Sequence, residues 1–283
     1  MNEAVTLLRR LVLAQAGARE WARDALAELE AGAPERSLHL FLGFAPRRLG
    51  KADLILCDAD RAAAEAARPG WRLDGWSLDG AARVLALLVH RGARPFAERF
   101  ADLRRTADVA ELIALYRGLP LYPDPAALHF EVGEGLRSSI EPVFEAIAHH
   151  NPFPRDHFDR DRWNHMVLKA LFMGRRLGPV QGLDDRANPE LALILRDFAR
   201  ERRAAARPVP DALWRCVGPF AAEAGALDDL AAALDAPDRR GAALALAACP
   251  APQAAALLRG DRAAAVLAEA RALGWDRLEE TAP

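Results

Sequence analysis

Leu227 to Leu258 reads LDDLAAALDAPDRRGAALALAACPAPQAAALL. Alanine and leucine dominate it, and both are strong helix formers. Pro237, Pro250 and Pro252 interrupt the run, because proline lacks the backbone donor a helix interior needs. The stretch therefore divides into a short helix, a proline-containing turn, a second helix and the start of a third, the pattern of HEAT-like helical pairs. A shorter echo lies far upstream. DGAARVLALLVH, Asp79 to His90, places its acid, its glycine or arginine and its leucines much as DRRGAALALAAC does from Asp238 to Cys249. Such an echo favours stacked antiparallel helix pairs, an α-solenoid-like arrangement, over a closed four-helix bundle.

Working outward, the same character holds along the chain. Strand-like alternation is rare and β-branched residues are sparse, so the sequence predicts an all-α fold. Apolar residues recur at helical spacing around Val5–Leu13, Trp21–Leu29, Ala81–Val89, Val109–Tyr116, Ile140–Ile147, Trp163–Phe172 and Leu191–Phe198. Asp79, Asp156 and Asp211 stand where caps or first-turn acids of the following helices belong, and Asn188-Pro189 places a cap and a first-turn proline before Glu190–Arg203. GLPLYPDP, Gly118 to Pro125, is too short and apolar for a linker and reads as a rigid turn. The expected organisation is one all-helical domain over residues 1–283, with N-terminal helices to 125, a core from 126 to 220 and HEAT-like helices from 221.

With 283 residues, 52% of them hydrophobic, the chain can bury a substantial core. Its 38 basic and 40 acidic residues leave a formal charge of -2, which supplies no global field for nucleic acid or anionic lipid. Cys57, Cys216 and Cys249 form no CxxC pair and are odd in number, so neither a disulfide framework nor a cysteine zinc site is indicated, and a cytoplasmic location is expected. The opening MNEAVTLLRRLVLAQAGA has a faint cleavage-site look at Ala14, Gln15 and Ala16. Glu3, Arg9 and Arg10 break its apolar run, so it reads as an amphipathic helix. No run approaches the roughly 18 apolar residues of a membrane span.

Chemistry concentrates between His149 and Leu191, in HHNPFPRDHFDRDRWNHMVLKALFMGRRLGPVQGLDDRANPEL, which holds four of the seven histidines. His157, Asp161, His165 and Lys169 fall four apart, so on one helix they form a polar stripe. Two imidazoles flanking a carboxylate would suit a metal or a proton relay, but the charged first turns read more simply as a solvated face, and there is no HExxH. Only Lys51 and Lys169 are lysine among the 38 basic residues. Lys169 is then a candidate for anion contact or a buried carboxylate partner, set against a snorkelling side chain.

GFAPRRLGKA, Gly43 to Ala52, narrowly misses a phosphate-binding loop. Ala45 replaces its first glycine, Ala52 its magnesium-binding hydroxyl, and the preceding strand is missing. Nucleotide hydrolysis is rejected, while Arg47, Arg48 and Lys51 remain a possible anion-binding turn beside the plainer reading of surface charge. In GLDDRANPEL, Gly182 to Leu191, Asp184, Asp185 and Asn188 imitate a magnesium-diphosphate motif without a convincing second acidic motif at Asp228-Asp229. The structural reading has Asp184 and Asn188 capping helix ends and Arg186 tying the corner. No nucleophile elbow surrounds Ser138 or Ser139. Glu131, Glu134 and Arg137 read as a charged helical cluster. No cofactor or metal is indicated.

His150 to Phe172, Val180 to Leu191 and PDALWRCVGPF, Pro210 to Phe220, together resemble the EboA-domain family, which is associated with a bacterial secondary-metabolism gene cluster. The resemblance covers most of Glu134 to Phe220, with Pro46 to Lys51 a weaker anchor. It implies a helical cytoplasmic protein that accompanies a prenyltransferase-like membrane protein, a sugar-phosphate cyclase-like enzyme and TIM-barrel enzymes, in a cluster linked with precursor handling or export. It also directs interest to His150, Asn151, Asn164, Lys169, Asp184, Arg186 and Asn188 as a candidate ligand pocket framed by Phe153, Phe158 and Trp163. His165 and Asp185 depart from the family pattern, which puts the metal and diphosphate ideas in further doubt.

The expected function is thus an accessory or interaction protein that binds a partner enzyme or an intermediate of one metabolic cluster, with no nucleic acid and no membrane span; the oligomeric state stays open. The alternative is an enzyme acting on a polar, phosphorylated or prenylated metabolite. There Lys169 and Arg186 would hold an anion, His150 would move a proton, and Asn151 and Asn164 would orient the substrate.

Overall fold

The computed structural model describes residues 3–17 and 19–280. Among these residues the chain is all-helical, and its nearest approach to a strand is an isolated antiparallel bridge between Asp53 and Ser77. It forms two compact units, Met1–His157 and Phe158–Pro283, so the division falls inside the stretch 126–220.

The first unit contains α1 (Glu3–Gln15), α2 (Arg19–Glu30), α3 (Glu35–Leu49), α4 (Asp58–Ala67), α5 (Leu78–Val89), α6 (Phe96–Thr106), α7 (Val109–Arg117), α8 (His129–Arg137), α9 (Glu141–Ala148) and α10 (Phe153–His157). The opening segment is amphipathic as expected. Ala4, Leu7, Leu8, Leu11 and Val12 share one buried face of α1, which lies on α5. Helix α5 is the unit's centre, with α1, α2, α3 and α7 packed around it, and it is buried on nearly every side from Leu78 to Leu87. Each large aliphatic side chain removed from water there contributes about 1.5–3 kcal/mol. The Ser77 hydroxyl caps α5 by accepting from the Gly80 amide at 3.2 Å, which leaves Asp79 in the first turn.

The turn from Gly118 to Pro125 is built from 3-10 turns at Leu119–Leu121 and Pro125–Leu128. Asp124 between them takes the left-handed φ of 48°, and its carboxylate accepts from the Ala127 amide. The Glu131, Glu134 and Arg137 cluster resolves into separate pairs: Glu134 with Arg137, and Glu131 with Arg104 of α6.

The second unit contains α11 (Arg160–Phe172), α12 (Pro189–Ala204), α13 (Leu213–Val217), α14 (Leu227–Ala233), α15 (Arg239–Ala248), α16 (Pro252–Leu257) and α17 (Asp261–Glu280). The stretch Leu227–Leu258 folds as its prolines dictate, with α14, α15 and α16 separated at Pro237 and Pro250. Helix α15 is this unit's centre, contacted by α13, α14, α16 and α17. Its small residues permit very close packing: a Cβ on Gly218 would stand 2.8 Å from the Ala245 Cα, and one on Gly241 would overlap the Asp211 backbone.

Two expectations about caps need correction. Asp156 lies within α10, and the cap of the Trp163 helix is Asp159, which accepts from the Arg162 amide at 2.8 Å. Asp211 does not cap α13 either; its carboxylate accepts from the Gly241 amide at 2.6 Å and so ties the start of α13 to α15. Asn188 does cap α12, accepting from the Leu191 amide at 2.9 Å with Pro189 in the first turn.

Candidate functional site

In the second unit the polar residues singled out from sequence hold the structure together. Asn164, 2% exposed on α11, receives a hydrogen bond from the Asn188 amide at 2.9 Å and returns a longer one at 3.4 Å. Asn188 also donates to the Arg186 carbonyl at 3.1 Å. Arg186 donates to the Phe158 carbonyl at 2.8 Å and stacks over Trp163, its guanidinium carbon 4.6 Å from the ring centroid. Asp184 forms a two-pronged pair with Arg215, both bonds 2.7 Å, and so ties the 182–191 corner to α13 instead of capping a helix. Asp184 is thereby committed, and Asp229 is likewise paired with Arg200.

Lys169 is half-buried near the end of α11, and burial pushes its ammonium below its ordinary titration range. The expected four-residue stripe does not form. The chain leaves the helix at Phe158 and Asp159, so His157 belongs to α10 while Asp161, His165 and Lys169 belong to α11. Among the described residues no group of three or more histidine, cysteine, aspartate or glutamate side chains could hold a metal ion.

The segment from Gly43 to Ala52 has the opposite polarity to a phosphate loop. Helix α3 runs into it, and Arg47 and Arg48 sit in the helix's last turn, where they complement the negative end of its dipole. Arg48 also lies over the Trp21 ring at 5.9 Å. Lys51 follows Gly50 and is exposed.

His150 and Asn151 occupy the first unit, where they help to line a cleft of about 280 Å³. Asn151 is 4% exposed and uses its amide fully for structure. Its nitrogen donates to the carbonyls of Tyr116 and Ala146 at 3.0 and 2.9 Å, and its oxygen accepts from the Phe153 amide at 3.0 Å. These bonds fasten the end of α9 to the end of α7 and fix the turn in which His150 adopts a φ of 52°. Left-handed backbone at a residue with a Cβ is strained, and histidine tolerates it better than most. His150 is exposed at the cleft as a result.

The remaining lining was not singled out from sequence. It comprises Arg72, Asp74 and Trp76 ahead of α5, Ile113 and Arg117 on α7, and Pro142, Glu145, Ala146 and His149 from α9 and its end. Asp74 is bound to Arg61 at 2.9 Å. Arg117 donates to the Gly75 carbonyl, and burial pushes its guanidinium pKa down against the opposing pull of Asp53 and Glu145. A smaller cleft of about 190 Å³ shares Arg72 and Asp74 and is lined also by Trp71, whose indole nitrogen is buried without a hydrogen-bond partner. The available signal was PGWRLDGWSLDG, Pro69 to Gly80, where two tryptophans alternate with glycine turns and charge.

Fold and site together define an all-helical protein with a polar cleft in its N-terminal unit, and no described helix is long and apolar enough to cross a membrane. The family model described as metabolite traffic protein EboA matches residues 5–218, and the chain belongs to that family. No curated protein matches the chain, and no solved structure does. The matched region contains every residue of the cleft and extends well upstream of the Glu134–Phe220 stretch in which the resemblance is most legible.

Proposed function

We propose that this protein is a non-enzymatic accessory of a secondary-metabolite pathway, binding a small intermediate in the N-terminal cleft and passing it to enzymes of the same cluster in the cytoplasm. The observation that carries the reading is the composition of the cleft. Its lining is polar and concave, and it sets Arg72 and Arg117 beside Trp76 and Ile113, which suits holding a small molecule with a polar and an apolar part. The family description, metabolite traffic protein, agrees with such a role. The catalytic alternative loses support because its orienting groups are already occupied: Asn151 by three backbone partners, and Asn164 by Asn188.

The test is native mass spectrometry of the full chain isolated from its producing cell, compared with the denatured mass. A retained small molecule is expected, and Ile113→Trp, which fills the cleft from α7, should remove it. A bare native mass, together with undiminished pathway output from cells carrying Ile113→Trp, would sink the reading.

A further inference from the structure

The charge in the cleft is unevenly compensated. Arg72 reaches it from the loop before α5, and among the described residues its side chain has no hydrogen-bond or ion-pair partner. A guanidinium stays protonated at any physiological pH, so this charge is permanent. Arg117, half-buried at the end of α7, is the second permanent cation on the lining. Of the two carboxylates present, Asp74 is engaged by Arg61 at 2.9 Å, which leaves Glu145 as the balancing acid. Trp76, 4% exposed, Ile113, Pro142 and Ala146 add apolar surface to the same cleft.

Resting on the ligand-binding reading above, we infer that the cleft takes a small oxyanion metabolite, a carboxylate or phosphate ester with a flat apolar body, whose anionic group is met by Arg72 and Arg117. Planar guanidinium groups bind such oxygens through paired, charge-assisted hydrogen bonds. The oxyanion supplies the partner that Arg72 lacks among the described residues, and the apolar body covers Trp76 and Ile113. At about 280 Å³ the cleft lies just under the range of roughly 300–1,000 Å³ that suits drug-sized ligands, so it fits a compact metabolite rather than a long prenyl chain.

The experiment is calorimetric titration of the full chain with phenyl phosphate, benzoate and the neutral benzamide. Saturable binding of one anion per chain is expected, with benzamide at least tenfold weaker. Tighter phenyl phosphate assigns a phosphate ligand, and tighter benzoate a carboxylate. Arg72→Gln should weaken the anion at least tenfold without moving the thermal midpoint, because the side chain has no internal partner to lose. Arg117→Gln should weaken it similarly, and Arg72→Gln keeps the test valid if loss of the Gly75 contact unfolds that second variant.

Equal affinity for benzamide and the anions, or an Arg72→Gln variant that binds as the parent does, overturns the inference. So does failure of both anions to bind at millimolar concentration. If a native-mass excess removed by Ile113→Trp persists in any of these cases, the cleft is a ligand site of another chemistry and only the oxyanion assignment falls. If that excess is missing as well, the binding reading falls with it.

Discussion

Asn151 shows how a residue with a ligand-like profile becomes structural. The sequence marks it as a lone amide in a histidine- and proline-rich turn, which suits either a pocket or a staple. Burial decides, since a buried amide must find partners and here it finds three on the backbone. Replacing it by alanine strands the Phe153 amide and takes a donor from the Tyr116 and Ala146 carbonyls, so Asn151→Ala is expected to lower the unfolding free energy by about 2–3 kcal/mol, read from the urea midpoint. Asn188→Ala removes a helix cap and orphans Asn164, at an expected cost of about 2 kcal/mol by the same measurement. Asp60 carries a pH dependence. The Cys57 amide and Arg10 hold its carboxyl down from 3.8 to about 2. Because the folded value is depressed, the stabilisation is fully present above 3.8 and is lost as pH falls through that interval toward about 2. Asp60→Asn should therefore flatten the fall in stability between those two pH values, and a variant curve parallel to the parent's would exclude this source.

At the scale of elements, the echo between Asp79–His90 and Asp238–Cys249 corresponds to α5 and α15, the central helix of each unit. The shared pattern of small residues and leucines reflects burial on several sides, a demand that falls equally on any helix surrounded by others. The two differ in their buried charge. In α5 Arg83 donates to the Asp79 carboxylate at 3.1 Å and to the Leu42 carbonyl at 3.1 Å, with Glu111 at 3.5 Å. Arg83→Met leaves Asp79 buried without its cation and is expected to cost about 3–5 kcal/mol, while the double change with Asp79→Leu should recover most of that loss. A double-mutant cycle in urea measures the coupling. In α15 the constraint is steric. Gly241→Ala places a methyl group on the Asp211 backbone and displaces the bond from the Gly241 amide, so a loss of about 1–3 kcal/mol is expected in thermal unfolding.

Across the whole molecule, each unit has its own central helix, so the slowest-exchanging amides are expected in α5 and α15, with faster exchange in the peripheral α2 and α16. Native-state hydrogen exchange resolved by fragment mass spectrometry checks this, and slowest exchange in α2 or α16 would contradict it. The all-α class was settled by the sequence alone, because alanine, leucine and arginine at helical spacing, punctuated by proline, leave no competing local structure. So were the helices of Leu227–Leu258, the cap at Asn188 and the membership legible in His150–Phe172 and Pro210–Phe220. Only tertiary structure decided which polar residues face solvent and which are consumed inside. Asn164 meets Asn188 across 24 residues, and Asp184 meets Arg215 across 31. The cleft was largely hidden, since Arg72, Arg117 and Glu145 come together from a loop and two helices and only the loop, Pro69 to Gly80, carried a local signal. Helical periodicity is a property of neighbours along the chain, whereas a binding surface is made by residues that only packing brings together.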